Sequence, residues 1–334
     1  MKVIERLIEK SCLGSNCSTT ALKNVLNYYD YNLSEDYIFG LGSGLGFIYQ
    51  YYANSNEYFL SGKNESVELN AINALGGTII TGSFDDNELA WREVKSYIDQ
   101  DIPVILDLSI RDLPYFKPYL SNLANIGFGL HNAVLCGYNE KSRTVQLLDH
   151  RWSEPLIVSF EDLAKARNSS GNVSSHNAYK VLLISSERKK FSNIRHSILL
   201  NINRMKNPFA YKMGLPGISM FKKDINLIIR EKNFEDAITT YSYLMERLGT
   251  GGGNFRRMYA RFLNQVSDNS LNLKYKEIGN SYFDLSKKWR RLSIIMEQMV
   301  YNKSLLTEFN EIISEIEFLE NEAINNLETL LRRG

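Results

Sequence analysis

Three residues of this sequence have side chains and settings suited to covalent chemistry: Cys17, His131 and Asp149. Cys17 stands where a helix should begin. Ser15, Asn16 and Ser18 are competent caps there, and Leu22, Val25, Leu26 and Tyr29 recur near the helical period. The N–H groups and positive dipole end of a helix start lower a thiol pKa, which is how a nucleophilic thiolate is made. His131 opens the apolar run to Tyr138, and Asp149 closes the strand from Thr144 to His150 beyond a short turn. A hairpin of that kind sets an imidazole beside a carboxylate. The acid then fixes the ring tautomer and supports the imidazolium, which in turn holds the thiolate. Each residue also has a structural reading: a small buried hydrophobe, a satisfied core histidine and a strand-end cap. The order cysteine, histidine, acid on these element types puts a thiol enzyme on a par with that reading.

The surrounding elements follow from periodicity. Helices are expected over Glu65–Leu75, closed by Gly76-Gly77, and over Asn87–Gln100. Strands are expected at Thr78–Thr81, Ile102–Leu108, Pro155–Phe160 and Tyr179–Ile184, with a short helix from Glu161 between the last two. Beyond about residue 187 strand patterns stop. Six helical segments follow: Ile194–Met205, Ser219–Arg230, Phe234–Leu248, Phe255–Val266, Leu273–Tyr301 and Leu305–Leu331. The fold class is therefore α+β, with a first domain over 1–187 and an all-α domain over 188–334.

Other features carry less specific signals. Ser34 caps a second helix start that runs into Phe39-Gly40-Leu41-Gly42-Ser43-Gly44-Leu45-Gly46-Phe47. Glycines on alternate positions predict a loop in which backbone approaches something closely or takes φ > 0. It is either a substrate-pocket element, with Gly42, Ser43, Gly44 and Phe47 as contacts, or a structural turn. The run Gly249–Gly253 before Arg256 and Arg257 is either an anion site at a helix start or, preferably, an interhelical turn with solvated arginines. Cys12 and Cys136 read as core thiols. His150, His176 and His196 lack a partner pattern and read as structural or surface residues.

Composition narrows the classes. Lysine and arginine total 39 against 38 acids, which argues against nucleic acid or an anionic membrane as the main partner. No apolar run of membrane-spanning length occurs, and the charged N-terminal stretch does not read as a signal peptide. Three cysteines without a CxxC or a zinc-spaced Cys/His cluster predict a reducing, cytoplasmic setting and no structural metal.

A helix-start cysteine meeting a strand-borne histidine is the arrangement of papain-like enzymes. More specifically, Asn16-Cys17-Ser18-Thr19-Thr20-Ala21-Leu22, the glycine string 39–47, the strand from His131 and the segment Gly249–Tyr259 together resemble the butirosin-biosynthesis acyltransferase family over nearly the whole chain. Where many of those proteins carry a histidine before the cysteine, this chain has Asn16. The resemblance implies a papain-like fold followed by a helical domain, and a Cys17–His131–Asp149 triad that forms amides. Its acyl group would arrive as a thioester on the phosphopantetheine of an acyl or peptidyl carrier protein, with no bound cofactor, and leave on a small-molecule amine, as in closthioamide assembly. Papain-like enzymes commonly take an oxyanion donor from an upstream glutamine; none precedes Cys17, and Ser11 or Asn16 are the substitutes. A peptidase or thioesterase using water, and a non-catalytic binding module, are the alternative readings.

Overall fold

The structure, a computed structural model, describes residues 1–52, 57–119, 130–169, 174–184 and 193–333. In chain order the elements are β1 (Lys2–Val3), α1 (Glu5–Glu9), α2 (Cys17–Tyr28), α3 (Glu35–Leu41), β2 (Leu45–Tyr52), β3 (Glu57–Lys63), α4 (Val67–Ala74), β4 (Thr78–Gly82) and α5 (Asn87–Asp99). There follow β5 (Val104–Leu108), β6 (His131–Asn139), β7 (Thr144–Leu148), β8 (Leu156–Ser159), α6 (Phe160–Arg167) and β9 (Tyr179–Leu183). Helices α7 (Ile194–Lys206), α8 (Gly214–Ile228), α9 (Phe234–Glu246), α10 (Arg256–Ser270), α11 (Leu273–Met299) and α12 (Leu306–Arg333) complete the chain. The class is α+β with a helical C-terminal region. Among the described residues no helix is long and apolar enough to cross a membrane.

The chain forms two compact units, and they are not sequential. One comprises Met1–Glu35 and Leu75–Lys190, the other Asp36–Ala74 and Phe191–Gly334. The expected division at 187/188 lies outside the described residues. The segment Asp36–Ala74 departs from the expected scheme, because it joins the helical unit rather than the N-terminal one. Its β2–β3 hairpin, which the sequence reading missed, explains why. A two-stranded ribbon is not stable by itself, and this one buries Phe47, Tyr49 and Leu60 in the helical unit's core.

The first unit is built on an antiparallel sheet ordered β4-β9-β5-β6-β7-β8, with β1 also paired to β6. Strands β5 and β6 read as near-continuous apolar runs because they are central: β5 is buried throughout, and β6 is buried up to Tyr138. Pairing of β5 with β6 sets Leu108 opposite His131, and pairing of β6 with β7 sets Val134 opposite Leu148. Helix α2 packs on β6. The sheet therefore fixes His131 at the start of one strand and Asp149 just past the end of its neighbour.

In the second unit the glycine string is not a free loop. Gly40 lies inside α3, Gly46 lies inside β2, and the positive φ of this stretch belongs to Ser43 at 54°. Close approach is the constraint: a Cβ at Gly40 would stand 2.0 Å from the Phe262 ring. The run at 249–253 is the expected interhelical turn, with left-handed φ at Gly249, Gly251, Gly252 and Gly253. Arg256, which opens α10, is fully buried rather than solvated. Its Nε donates to Glu320 Oε1 at 2.6 Å and its Nη1 to the carbonyls of Gly46 and Asn254, both at 2.8 Å. Trp289 Nε1 donates to the same carboxylate oxygen at 2.8 Å, and its ring lies under the guanidinium.

Removing one member of a buried ion pair strands the other charge, so Glu320→Ala should cost about 3–5 kcal/mol. Replacing Arg256 and Glu320 together by apolar residues should recover part of that loss. Chemical denaturation checks both, and a loss below about 1 kcal/mol for Glu320→Ala would remove the pair from the fold's supports.

Candidate active site

Cys17 is the first residue of α2, and local chemistry fixes that helix start tightly. Asn16 adopts extended backbone angles and caps the helix, its Oδ1 accepting from the N–H groups of Ser18 and Thr19 at 3.2 and 3.3 Å. Glu35 braces the approach to it. Its carboxylate accepts from the backbone N–H of Ser15 and of Asn16, each at 2.8 Å, and from the hydroxyls of Thr19 and Thr20 at 2.7 and 3.0 Å. Sequence reasoning passed over Glu35; four donors converging on one carboxylate from 15–20 residues away leave no local pattern.

His131 is 1% exposed and its Nε2 lies 2.6 Å from Asp149 Oδ2. The same imidazole feels Cys17, which acts with Asp149 to favour its protonated form. Phe116 closes one side of the ring, with centroids 5.0 Å apart and planes at 81°. The structure thus brings His131 and Asp149 together from a strand start and a strand end, and the charge of Cys17, at a helix start, acts on the same imidazole.

Two further side chains hold Asp149, and neither was singled out from the sequence. Tyr115 donates its hydroxyl to Oδ2 at 3.0 Å, and His150 Nδ1 lies 2.7 Å from Oδ1. His150 therefore does have a partner, contrary to its reading as a structural or surface residue: it is buried and belongs to the site. Its other nitrogen, Nε2, accepts from Arg151 Nε at 3.2 Å. Trp152 packs edge-on against Tyr115 and Phe116. A cavity of about 180 Å³ lined by Ser11, Cys12, Leu13, Asn24, Leu148, Asp149, Trp152 and Ser153 adjoins the carboxylate.

Electrostatics follow from this packing. Burial alone would push His131 down, but the charges of Asp149 and Cys17 outweigh it and raise the imidazole to about 10. Burial would raise Asp149, yet His131 and His150 hold it well below the usual carboxylate range. His150 is lowered, first by burial and then against Asp149's pull by the charges of His131 and Arg151. Burial and the adjacent Asp149 push the Tyr115 phenol far up, so it stays a donor. Burial raises Cys136 to about 12, which suits its reading as a core thiol.

The other expected site residues lie elsewhere or are otherwise engaged. Ser11 Oγ donates to the Ile8 carbonyl at 2.7 Å, and Asn16 Oδ1 serves the helix cap. Ser43 Oγ donates to the Ser197 carbonyl at 3.0 Å. Gly42 and Gly44 abut Val67 and Phe39, and Phe47 stacks on Trp289 in the second unit's core. Arg256 faces Glu320 rather than an anion, and Arg257 lies beside Gly252 in the adjoining turn. Among the described residues, His131, Asp149 and His150 place ligand-type atoms within 4.8 Å of one another, a set that could surround a cation. Those atoms are already joined to each other by hydrogen bonds.

Residues 16–150 match the family model described as butirosin biosynthesis protein H, N-terminal, and residues 161–327 match a domain of unknown function (DUF4872). No curated protein matches the chain. The first match opens directly before Cys17 and ends at His150, so it spans every residue of the cluster.

His131 binds its proton more tightly folded than unfolded, its value moving from the ordinary 6.5 to about 10. The stability it contributes is then complete below about pH 6.5 and is lost as pH rises through about 10. The difference in thermal midpoint between the wild type and His131→Gln should therefore shrink between pH 6 and pH 10. A difference that stays constant across that range contradicts the ion pair.

Proposed function

The chain belongs to the butirosin biosynthesis protein H family, and from that membership we propose that it is an amide-forming acyl- or peptidyltransferase with a papain-like first domain. The observation that supports the reading is the buried His131 imidazole, hydrogen-bonded to Asp149 and raised by the charges of Asp149 and Cys17. Cys17, as a thiolate, attacks the carbonyl carbon of a thioester presented on the phosphopantetheine of a carrier protein. The C–S bond to pantetheine breaks, and the departing sulfur takes the proton of the His131 imidazolium. An amine then attacks the acyl-enzyme, neutral His131 accepts the amine's proton, and Cys17 leaves as thiolate while the amide departs. Asp149 keeps the ring oriented and stabilises its cationic form in both halves.

The oxyanion is assigned to the Cys17 backbone N–H, at the positive end of the α2 dipole. Asn16 could add a donor only through Nδ2, because Oδ1 is taken by the cap. Ser11 would have to give up its bond to Ile8. Tyr115, Phe116 and Trp152 supply an apolar wall around the imidazole and its acid, which favours an amine over water as acceptor. Gly42, Ser43, Gly44, Phe47 and Arg256 have no part in this scheme, their groups being used inside the second unit.

A carrier protein charged with an acyl thioester, mixed with the enzyme, should give an acyl adduct on Cys17 by intact mass. Added amine should convert it to amide. Cys17→Ala should lower amide formation by about a thousandfold or more, and Asp149→Asn by at least about a hundredfold. A free acid as main product would make the protein a thioesterase. Unchanged amide formation by Cys17→Ala would end both enzyme readings and leave a binding module.

A further inference from the structure

Asp149 is gripped at both oxygens, and the grip on Oδ1 comes from a residue that the chemistry above does not use. His150 is the next residue along, is buried, and has both ring nitrogens engaged by groups of defined polarity. Arginine can only donate, so the contact from Arg151 Nε makes His150 Nε2 an acceptor. The remaining proton must then sit on Nδ1, which faces Asp149 Oδ1. The result is a neutral imidazole of fixed tautomer that donates one hydrogen bond and brings no second positive charge to the carboxylate. Asp149 Oδ2 is left to His131 and the Tyr115 hydroxyl.

We propose that His150, with its tautomer fixed by Arg151, is a positioning residue that holds Asp149 by Oδ1 so that Oδ2 faces His131. The proposal rests on the thiol-enzyme reading above. Its physical basis is the freedom of a carboxylate about its terminal torsion, which has broad, two-fold preferences. A carboxylate held at one oxygen only can turn away from the imidazole it serves. A second donor on the other oxygen removes that freedom, much as outer hydrogen bonds orient ligating groups in metal sites. A neutral donor does so without competing with His131 for the negative charge, whereas a cationic His150 would draw Asp149 toward itself. Charged groups facing His150 are Asp149, His131 and Arg151, and their combined effect together with burial keeps it from protonating.

Alkylation of Cys17 by iodoacetamide, followed from pH 5 to pH 10 by intact mass, reads the thiolate–imidazolium pair without any acyl donor. His150→Leu should lower the rate at pH 6 about tenfold and move the acid limb of the profile up by about one pH unit. His150→Asn, whose Nδ2 can stand near the place of Nδ1, should restore the rate to within about threefold of wild type, less than half a pH unit's worth. A folded His150→Leu protein with an unchanged profile overturns the proposal, as does an Asn variant no better than Leu. Should His150→Leu fail to fold, the exposed Arg151 decides: Arg151→Leu should shift the limb in the same direction, and Arg151→Gln, which keeps a donor, should not. Identical profiles for those two variants overturn it. If no amide forms with any carrier protein but the alkylation pattern holds, the reaction assignment fails and the role of His150 stands.

Discussion

A buried carboxylate is expensive unless its oxygens have donors, and Asp149 has one at Oδ1 and two at Oδ2, supplied by two imidazoles and a phenol. The rest of the first unit can be understood as what is needed to keep it so. Strands β6 and β7 place His131 and Asp149 at one end of the sheet, within hydrogen-bond reach, and the 3-10 turn around Pro114 brings Tyr115 and Phe116 to the same point. Helix α2, capped by Asn16 and braced by Glu35, starts at Cys17, whose charge also acts on the imidazole. Because the interior is poorly solvated, the carboxylate's charge is felt strongly by His131, and the ring is cationic over most of the pH range.

The second unit buries a carboxylate too, but among the described residues pairs it at one oxygen only. Glu320 is fully buried and serves both Arg256 and Trp289 through one oxygen, while Arg256 reaches the Gly46 carbonyl on β2. Asn201 on α7 donates to the carbonyls of Ser43 and Leu45 at 2.9 and 2.6 Å. The carbonyls at the start of the β2–β3 hairpin thus accept from side chains 150 and more residues away as well as from nearby Asn64. That explains why Asp36–Ala74 groups with the helices although it lies early in the chain.

Much of this was legible in the sequence. The six C-terminal helices, the cap at Asn16, the apolar strand from His131 and the hairpin ending at Asp149 all follow from local periodicity and capping chemistry. What stayed hidden depended on contacts far apart in the chain. Gly40 looked like a helix breaker because the Phe262 ring that demands it lies 222 residues on. Arg256 looked solvated because Glu320 is 64 residues away. His150 was missed for the opposite reason. Its partner is the adjacent residue, and only the turn after β7 directs both side chains to the same place. Tyr115 sits in a proline-interrupted stretch with no period to read.

Nitrogen-15 NMR of the histidine side chains at neutral pH tests the centre of this account most directly, since it reads the protonation of each ring nitrogen. The account predicts His131 as an imidazolium with protons on both nitrogens, and His150 as a neutral ring carrying its proton on Nδ1. A neutral His131 at pH 7, or a cationic His150 beside it, would contradict the account.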